Sequence, residues 1–208
     1  MDIVRHQCLV YEGSPAKHLR GLAAVTIAKL KDNNRCLYLN SPPMVAGMRS
    51  YLAAAGLDVA EAVRQGALVL SSSQNHIVNG AFDVDNMLDM LEAAVKQALK
   101  DGYRGLWATG DMTWELGPKN GLGNLIAYEC GLEDLFHQYP SLSGICQYHI
   151  DTLPPSAVDK ALRTHRSVYI NEMLSRLNPF YGVDDAPAPV ESADTHKEMV
   201  GWLRAQEC

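Results

Sequence analysis

Short runs of apolar residues alternate with longer amphipathic segments from near the start of the chain to about residue 170. Gly, Pro, Asn and Asp residues bound the apolar runs, which is typical of buried β-strands. The predicted strands are Gln7–Tyr11, Cys36–Leu39, Ala67–Ser71, Gly105–Thr109 and Gly144–Ile150, with Ser167–Ile170 as a possible last strand. Because strands and helical segments alternate, the pattern predicts a three-layer α/β fold with a mostly parallel central sheet flanked by helices.

The segments between these strands carry helix signals. Ser14 and Pro15 favour the start of a helix that runs to about Lys31, because Ser is a good N-cap and Pro fits the first turn. Further helices are predicted through Ala55, from about Asp83 or Asp85, over about Gly123–Tyr139 and up to about Thr164. In the helix after Asp85, apolar residues recur at i, i+3 and i+4, so one face should lie on the sheet.

The alternation of predicted strands and helices ends before Pro179, and a Pro-rich segment follows. The segment DDAPAP cannot continue a helix, and a short apolar stripe follows it near the end of the chain. We therefore predict an α/β domain over residues 1–177 and a Pro-rich linker with a short C-terminal amphipathic helix over 178–208. That helix either docks on the domain or binds a partner.

Composition narrows the class of protein. The chain has 208 residues, of which 47% are hydrophobic and 20% charged, and its formal charge is −6. This composition excludes a disordered chain, and the acidic balance argues against direct binding to nucleic acid or to an anionic membrane. The N-terminus lacks the pattern of a signal peptide and no apolar run is long enough to span a bilayer, so we expect a cytoplasmic protein.

The five cysteines are odd in number, widely spaced and form no Cys-x-x-Cys motif. They predict neither a disulfide framework nor a zinc ribbon, and buried reduced thiols are the simpler interpretation. The sequence requires no cofactor. It also contains no Gly-x-Ser-x-Gly or His-Glu-x-x-His motif, so no catalytic residue is assigned.

The segment after the first predicted strand lacks a nucleotide-binding motif. A phosphate-binding loop there needs Gly-x-x-x-x-Gly-Lys-Ser/Thr, but residues 13–19 have no second Gly and no Gly-Lys pair. Pro15 also removes a backbone donor. ATP hydrolysis is therefore not expected.

Polar and aromatic residues follow the carboxyl ends of the predicted strands, where open parallel sheets bind ligands. The candidates for such a pocket are Glu12, Asp111, Met112, Trp114, His149 and Asp151. We expect them to line one pocket.

His6 and Cys8 point to the same face of the first strand, and His149 or Asp151 comes close if the first and fifth strands are neighbours. A metal site with His6, Cys8 and His165 as candidate ligands is one interpretation, and buried hydrogen-bonded histidines are the other. Glu129 lies on the apolar face of its predicted helix and needs a partner, either a structural one (Arg104 or His165) or a ligand.

The order of several short motifs resembles one family. They are His6-x-Cys8-Leu9-Val10-Tyr11, Arg35–Leu39, Tyr51-Leu52 with Leu57-Asp58-Val59, Gly102–Leu106 with Gly110-Asp111-Met112-x-Trp114, Tyr128-Glu129, Ile145–Tyr148 and Arg163-Thr164-His165. Over roughly residues 5 to 171 the chain resembles the MEDS domain, the methanogen/methylotroph DcmR sensory domain. Three positions depart from the expected pattern: Asp111 replaces Glu, Trp107 replaces a basic residue and His149 replaces an acidic one.

The resemblance implies a prokaryotic signal-input domain with a RecA/KaiC-like fold that has lost the P-loop. It also implies that a small organic molecule, such as a simple hydrocarbon derivative, is the ligand. In this hypothesis His6, Glu129 and His165 supply polar contacts, Met112 and Trp114 form apolar walls, and the loop from Gly110 to Gly121 responds to binding.

A signalling protein or a second copy of the chain is the expected partner, in a transcriptional or other regulatory response. One alternative is a metal-dependent or Cys/His-based enzyme that uses His6, Cys8, Asp151 and His165. A second alternative is a degenerate nucleotide-binding protein without turnover.

Overall fold

In the computed structural model, the described residues are 5–14, 16–115, 122–170 and 174–177. Within them, one sheet is built from β1 (His6–Tyr11), β2 (Asn34–Leu39), β3 (Leu68–Ser71), β6 (Gly105–Asp111), β7 (Leu142–His149), β8 (Ser167–Ile170) and β9 (Leu174–Leu177); β4 (Ile77–Val78) and β5 (Ala81–Phe82) form a separate hairpin. The strand order is β3-β2-β6-β7-β1-β8-β9. The first six strands in this order are parallel and β9 is antiparallel.

This arrangement confirms the predicted three-layer α/β fold with a mostly parallel sheet, and β8 confirms the possible last strand. The helices are α1 (Ala16–Lys31), α2 (Pro42–Ala54), α3 (Val59–Arg64), α4 (Val84–Lys100), α5 (Met112–Glu115), α6 (Leu122–Gln138) and α7 (Pro155–Thr164). The relation to RecA and KaiC and the domain boundary at residue 177 stay predictions. The predicted linker and C-terminal helix over 178–208 lie outside the described residues.

The sequence missed the short helix α3 and the β4–β5 hairpin. Helix α3 has only six residues, too few for a periodic pattern, and a local cap marks its start. The Asp58 side chain accepts a hydrogen bond of 2.9 Å from the backbone N–H of Glu61, which satisfies one of the free donors at a helix N-terminus.

Alternation along the strands divides the core into two. Helices α1 and α2 cover one face, which we call the α1/α2 face, and its strand residues include Leu9, Cys36, Tyr38, Trp107 and Ile145. Helices α4, α6 and α7 cover the other, the α6/α7 face, whose strand residues include Cys8, Val10, Leu39, Leu106 and Tyr148. Both sets are buried, as expected for a parallel sheet sandwiched between helices.

Two glycines allow close packing on the α6/α7 face. A Cβ at Gly131 of α6 would lie 2.4 Å from a methyl carbon of Leu88 in α4, and a Cβ at Gly144 of β7 would lie 2.6 Å from the carbonyl oxygen of Ala108. Glycine therefore lets α6 approach α4 closely and lets β7 sit tightly beside β6. No helix in the described part of the chain combines the length and apolar character that a membrane crossing requires.

Candidate functional site

The first residue of β1 places an imidazole in the core. Strand β1 runs between β7 and β8, and in its pairing with β7 His6 lies opposite Gly144. Its side chain shares the α6/α7 face with Cys8 and Val10, two and four residues along the strand. The His6 ring is buried and stacks on Phe136 of α6 with ring centroids 4.7 Å apart.

Two carboxylates on α6 reach this imidazole. Glu129 and Glu133 are four residues apart and therefore lie on one face of the helix. His6 Nδ1 donates to Glu133 Oε2 at 2.9 Å, and His6 Nε2 lies 3.2 Å from Glu129 Oε2. The Glu129 side chain is fully buried, whereas Glu133 keeps 27% of its side chain exposed. Glu133 thus connects the imidazole to the surface.

Three further side chains contact Glu129 or His6. Tyr148 of β7 donates a hydrogen bond to Glu129 Oε1. His165, directly after α7, donates from Nδ1 to the carbonyl oxygen of Ala161 at 2.7 Å and turns Nε2 toward Glu129 Oε2 at 3.4 Å. Cys146 Sγ lies 3.7 Å from His6 Nε2. We call His6, Glu129, Cys146, Tyr148 and His165 the buried cluster.

The charges in the buried cluster compensate one another. Burial lowers the pKa of His6, but the hydrogen bonds and charges of Glu129 and Glu133 outweigh it and hold this pKa above its ordinary value. Burial raises the pKa of Glu129, yet the charge of His6 and the hydrogen bonds from His6 and Tyr148 outweigh burial and lower it. His6 and Glu129 therefore form an ion pair in the core, which is tolerated only because both groups have partners.

Three other titratable groups of this region, His165, Tyr148 and Cys8, stay neutral. Burial, together with the charge of His6, lowers the pKa of His165 to about 4. Burial and the charge of Glu129 raise the pKa of Tyr148 and of Cys8 well above their usual values. Tyr148 is thus a phenol that donates to the carboxylate, and Cys8 is a thiol.

The buried cluster also contains a set of metal-ligating atoms. One ligand atom each from His6, Glu129, Cys146 and His165 lies within 4.8 Å of all the others, and all four residues are buried. Of the predicted metal candidates, His6 and His165 belong to this set, whereas the cysteine in it is Cys146 rather than Cys8.

The residues predicted at the carboxyl ends of the strands lie elsewhere. Tyr11 donates to Asp111 at 2.7 Å on the α1/α2 face, and its ring stacks on His149 with centroids 4.8 Å apart. His149 donates to the carbonyl oxygen of Gly13 at 2.8 Å, and the N–H of Gly13 donates to Asp151 at 2.7 Å. These contacts form a polar edge between β1, β6 and β7.

The predicted site residues thus lie in two places, the buried cluster and the polar edge. His6 and Tyr11 are five residues apart on β1, about 17 Å along the strand, and they point to opposite faces. Strands β1 and β7 are neighbours, as the metal hypothesis required, but His149 lies opposite Tyr11, not opposite His6. Asp151 is consequently at the polar edge, remote from the buried cluster. Glu12 is exposed next to this edge.

Met112 and Trp114 belong to the short helix α5. Met112 is buried and lines a cavity of about 30 Å³ between α4, α6 and the sheet, together with Leu91, Ala108, Leu132, Phe136 and Cys146 among others. The side chain of Trp114 and residues 116–121, in which the predicted loop ends, lie outside the described residues. Because Cys146 and Phe136 line the cavity and also contact His6, the cavity adjoins the buried cluster.

Sequence reasoning missed Glu133, Cys146 and Tyr148 as site residues. Glu133 follows Glu129 by four residues, so helix periodicity places both carboxylates on one face. Cys146 and Tyr148 alternate in β7 and share a face. These patterns show which side chains share a face, but only the strand order, which places β7 beside β1, shows that they lie near His6.

The described residues thus form an α/β domain with a buried cluster of ionisable side chains beside a small apolar cavity. The sequence model of the MEDS family, the methanogen/methylotroph DcmR sensory domain, matches residues 5–166. This match covers most of the 208 residues, so the chain belongs to the MEDS family of sensory domains, which confirms the resemblance. A search of curated proteins finds no match.

Proposed function

We propose that this chain is a signal-input domain that binds a small organic molecule in the cavity beside the buried cluster. The observation that carries the proposal is the position of Cys146, which lines the apolar cavity and lies 3.7 Å from His6 Nε2. A ligand in the cavity thus lies between aliphatic walls, such as Leu91 and Met112, and a polar end near the Cys146 thiol.

The size of the cavity selects the class of ligand. Pockets for drug-sized molecules measure about 300–1,000 Å³, whereas this cavity of about 30 Å³ has room for one or two water molecules. A molecule with very few heavy atoms, such as a short alcohol, amine or halide, is the ligand that requires the least rearrangement. A simple hydrocarbon derivative therefore suits the site.

Helix α6 is the element that connects the cavity to the surface. It carries Leu132 on the cavity wall and Glu129 in the buried cluster, while Asp134 and His137 face solvent. A ligand that moves α6 changes the surface formed by its solvent-facing side. In this proposal, a signalling protein or a second copy of the chain reads that change and passes on the regulatory response.

The polar edge favours this proposal over nucleotide binding. A phosphate at the loop after β1 needs free backbone N–H donors. The N–H of Gly13 instead donates to the Asp151 carboxylate, whose negative charge repels a phosphate. The loop is thus satisfied by the protein itself.

Thermal unfolding in the presence of C1 to C6 alcohols, amines, halides and acids tests the proposal. The shortest members should raise the midpoint of unfolding, since a ligand bound only to the folded state stabilises it. The variant Ala108→Val fills part of the cavity and should remove this shift. Ala67→Val, the same change beside the edge strand β3, is the matched control and should retain it. Equal shifts in both variants, or no shift for any compound in the wild type, would refute the cavity as the ligand site.

A further inference from the structure

We propose that His6, Glu129, Cys146 and His165 form a tetrahedral site for a divalent transition-metal ion, with Zn²⁺ as the preferred ion. This inference goes beyond the proposed function and does not depend on the organic ligand. It rests on the ligand distances, the hydrogen bonds that orient the ligands, and the charge of the donor set.

Three of the six distances between the donor atoms are close to those of a tetrahedron around zinc, and the set as a whole, within 4.8 Å, has to contract slightly around the ion. Zinc binds nitrogen and oxygen at about 2.0–2.2 Å and sulfur at about 2.3 Å, so neighbouring ligand atoms are about 3.3–3.6 Å apart. In the structure, Glu129 Oε2 lies 3.2 Å from His6 Nε2 and 3.4 Å from His165 Nε2. Cys146 Sγ lies 3.7 Å from His6 Nε2. Both distances from Glu129 Oε2 to the imidazole nitrogens are longer than a charge-assisted hydrogen bond, which measures about 2.7–2.9 Å.

Three of the four ligands, His6, His165 and Glu129, are oriented by a hydrogen bond at their other polar atom, as is usual around protein-bound metals. His6 uses Nδ1 to donate to Glu133, and His165 uses Nδ1 to donate to the carbonyl oxygen of Ala161. Both imidazoles therefore present Nε2 to the same point. The second oxygen of Glu129 accepts from Tyr148.

The charge of the ion matches the charge of the donors. A thiolate from Cys146 and the carboxylate of Glu129 supply two negative charges, and both imidazoles bind as neutral ligands. A divalent ion makes this set neutral, which removes the need to bury an unpaired charge. A set of two imidazoles, one thiolate and one carboxylate suits zinc, whereas magnesium and calcium prefer oxygen ligands.

Four protein ligands leave no open position, in contrast to the three ligands plus water of a catalytic zinc site. We therefore assign the ion a structural and positioning role. It joins β1, β7, α6 and the end of α7 at one point, beside the cavity wall formed by Cys146 and Phe136.

The first experiment is metal analysis of the full chain, purified without a histidine tag or chelator. The expected result is one transition-metal ion per chain. Chelator-treated protein is then titrated with Co²⁺, which should give the visible bands of tetrahedral Co²⁺ and a near-ultraviolet thiolate-to-cobalt charge-transfer band. If the purified protein holds a divalent transition metal other than zinc and Co²⁺ still gives the thiolate band, the site is supported and only the identity of the ion changes.

Variants locate the site. Cys146→Ala should lose the thiolate band, whereas Cys8→Ala, two residues from His6 on the same strand face, and Cys36→Ala, on the other face, should retain it. Glu133→Gln removes the partner of His6 Nδ1 without touching a ligand, and should weaken metal binding about tenfold to a hundredfold. Asp134→Asn, the same change at the next residue of α6, should leave metal affinity unchanged.

Two results would overturn the proposal. One is a wild-type protein that holds no transition metal and gives no thiolate band with Co²⁺, in which case the buried cluster is only a hydrogen-bonded ion pair. The other is a band that survives Cys146→Ala in folded protein. Because the wild-type spectrum alone reports the thiolate, the proposal stays testable even if a variant fails to fold.

Discussion

The two faces of the sheet solve the problem of buried polar groups in different ways. On the α1/α2 face, polar side chains are satisfied mostly in pairs, such as Tyr11 with Asp111 at 2.7 Å and Asn40 with Tyr38 at 3.1 Å. On the α6/α7 face, the side chains of His6, Tyr148 and His165 meet at the Glu129 carboxylate, and Cys146 lies beside His6. The first arrangement holds neighbouring elements together, and the second concentrates ionisable groups beside a cavity.

Two of the buried strand cysteines, Cys36 and Cys146, show the same contrast. Cys36 on the α1/α2 face has the carbonyl oxygen of Thr26 as a neighbour at 3.7 Å, and burial raises its pKa to about 12. Cys146 is on the α6/α7 face, and its Sγ lies 3.7 Å from Nε2 of His6. A thiol among carbonyl and aliphatic groups is inert, whereas a thiol beside an imidazole can bind a metal or a polar ligand. The neighbours, not the residue type, separate the two faces.

The largest effect should come from breaking the central ion pair. Glu129→Gln preserves shape but leaves His6 without its buried carboxylate, and removal of one member of a buried pair costs about 3–5 kcal/mol. Tyr11→Phe on the opposite face removes a hydrogen bond to a carboxylate and should cost about 1–3 kcal/mol. Urea unfolding of chelator-treated proteins measures both changes in the free energy of unfolding.

This pair of variants tests the contrast between the faces directly. If Glu129→Gln costs no more than Tyr11→Phe, the buried cluster is not a charged network and the two faces are alike. The chelator treatment matters because a bound metal would add its own binding free energy to the stability of the wild type.

A second prediction separates the two faces by ligand response. Leu91→Ala enlarges the cavity on the α6/α7 face, and Leu52→Ala removes the same atoms from α2 on the other face. Each should lower the free energy of unfolding by about 2–5 kcal/mol. Only Leu91→Ala should shift the most stabilising compound toward longer chains in the thermal-unfolding series. The same shift in both variants would show that the compounds act through general solvent effects.

Periodicity was sufficient to predict the layers of the fold. The apolar strands and the stripe on α4 predicted which elements form the sheet and which cover it, because those patterns record burial directly. Strand order is different, since it depends on which segments pair across the chain. His6 and Cys146 are 140 residues apart, and their proximity follows only from β1 running beside β7.

The candidate site was predicted in part for the same reason. Glu129 stood out because a carboxylate on an apolar helix face needs a partner, and the structure provides His165, one of the two partners expected. The rule that ligands bind at the carboxyl ends of parallel strands grouped Asp111, His149 and Asp151 with it. That rule identifies the carboxyl edge of the sheet, and it does not point to a cluster that lies on one face near the start of β1.

The smallest effect should come from an ion pair at the surface, which provides a reference for the buried one. Arg35 donates to Asp101 at 2.6 Å and joins β2 to the end of α4. The hydrogen bond from Arg35 outweighs a small effect of burial and lowers the pKa of Asp101 below its ordinary value. Because the folded-state pKa is depressed, the stabilisation is present above the unfolded-state pKa and is lost as pH falls through the folded-state value.

Asp101→Asn should therefore be slightly less stable than the wild type at neutral pH, and the two should converge in acid, where Asp101 is protonated. Urea unfolding of both proteins as a function of pH measures the difference. Added salt should reduce it at neutral pH, because exposed charges are screened. A loss as large as that of Glu129→Gln, or a difference that persists in strong acid, would show that Asp101 acts through packing or helix capping instead of charge. Asp101→Asn would then no longer serve as the surface reference, and only Glu129→Gln would report on the strength of an ion pair.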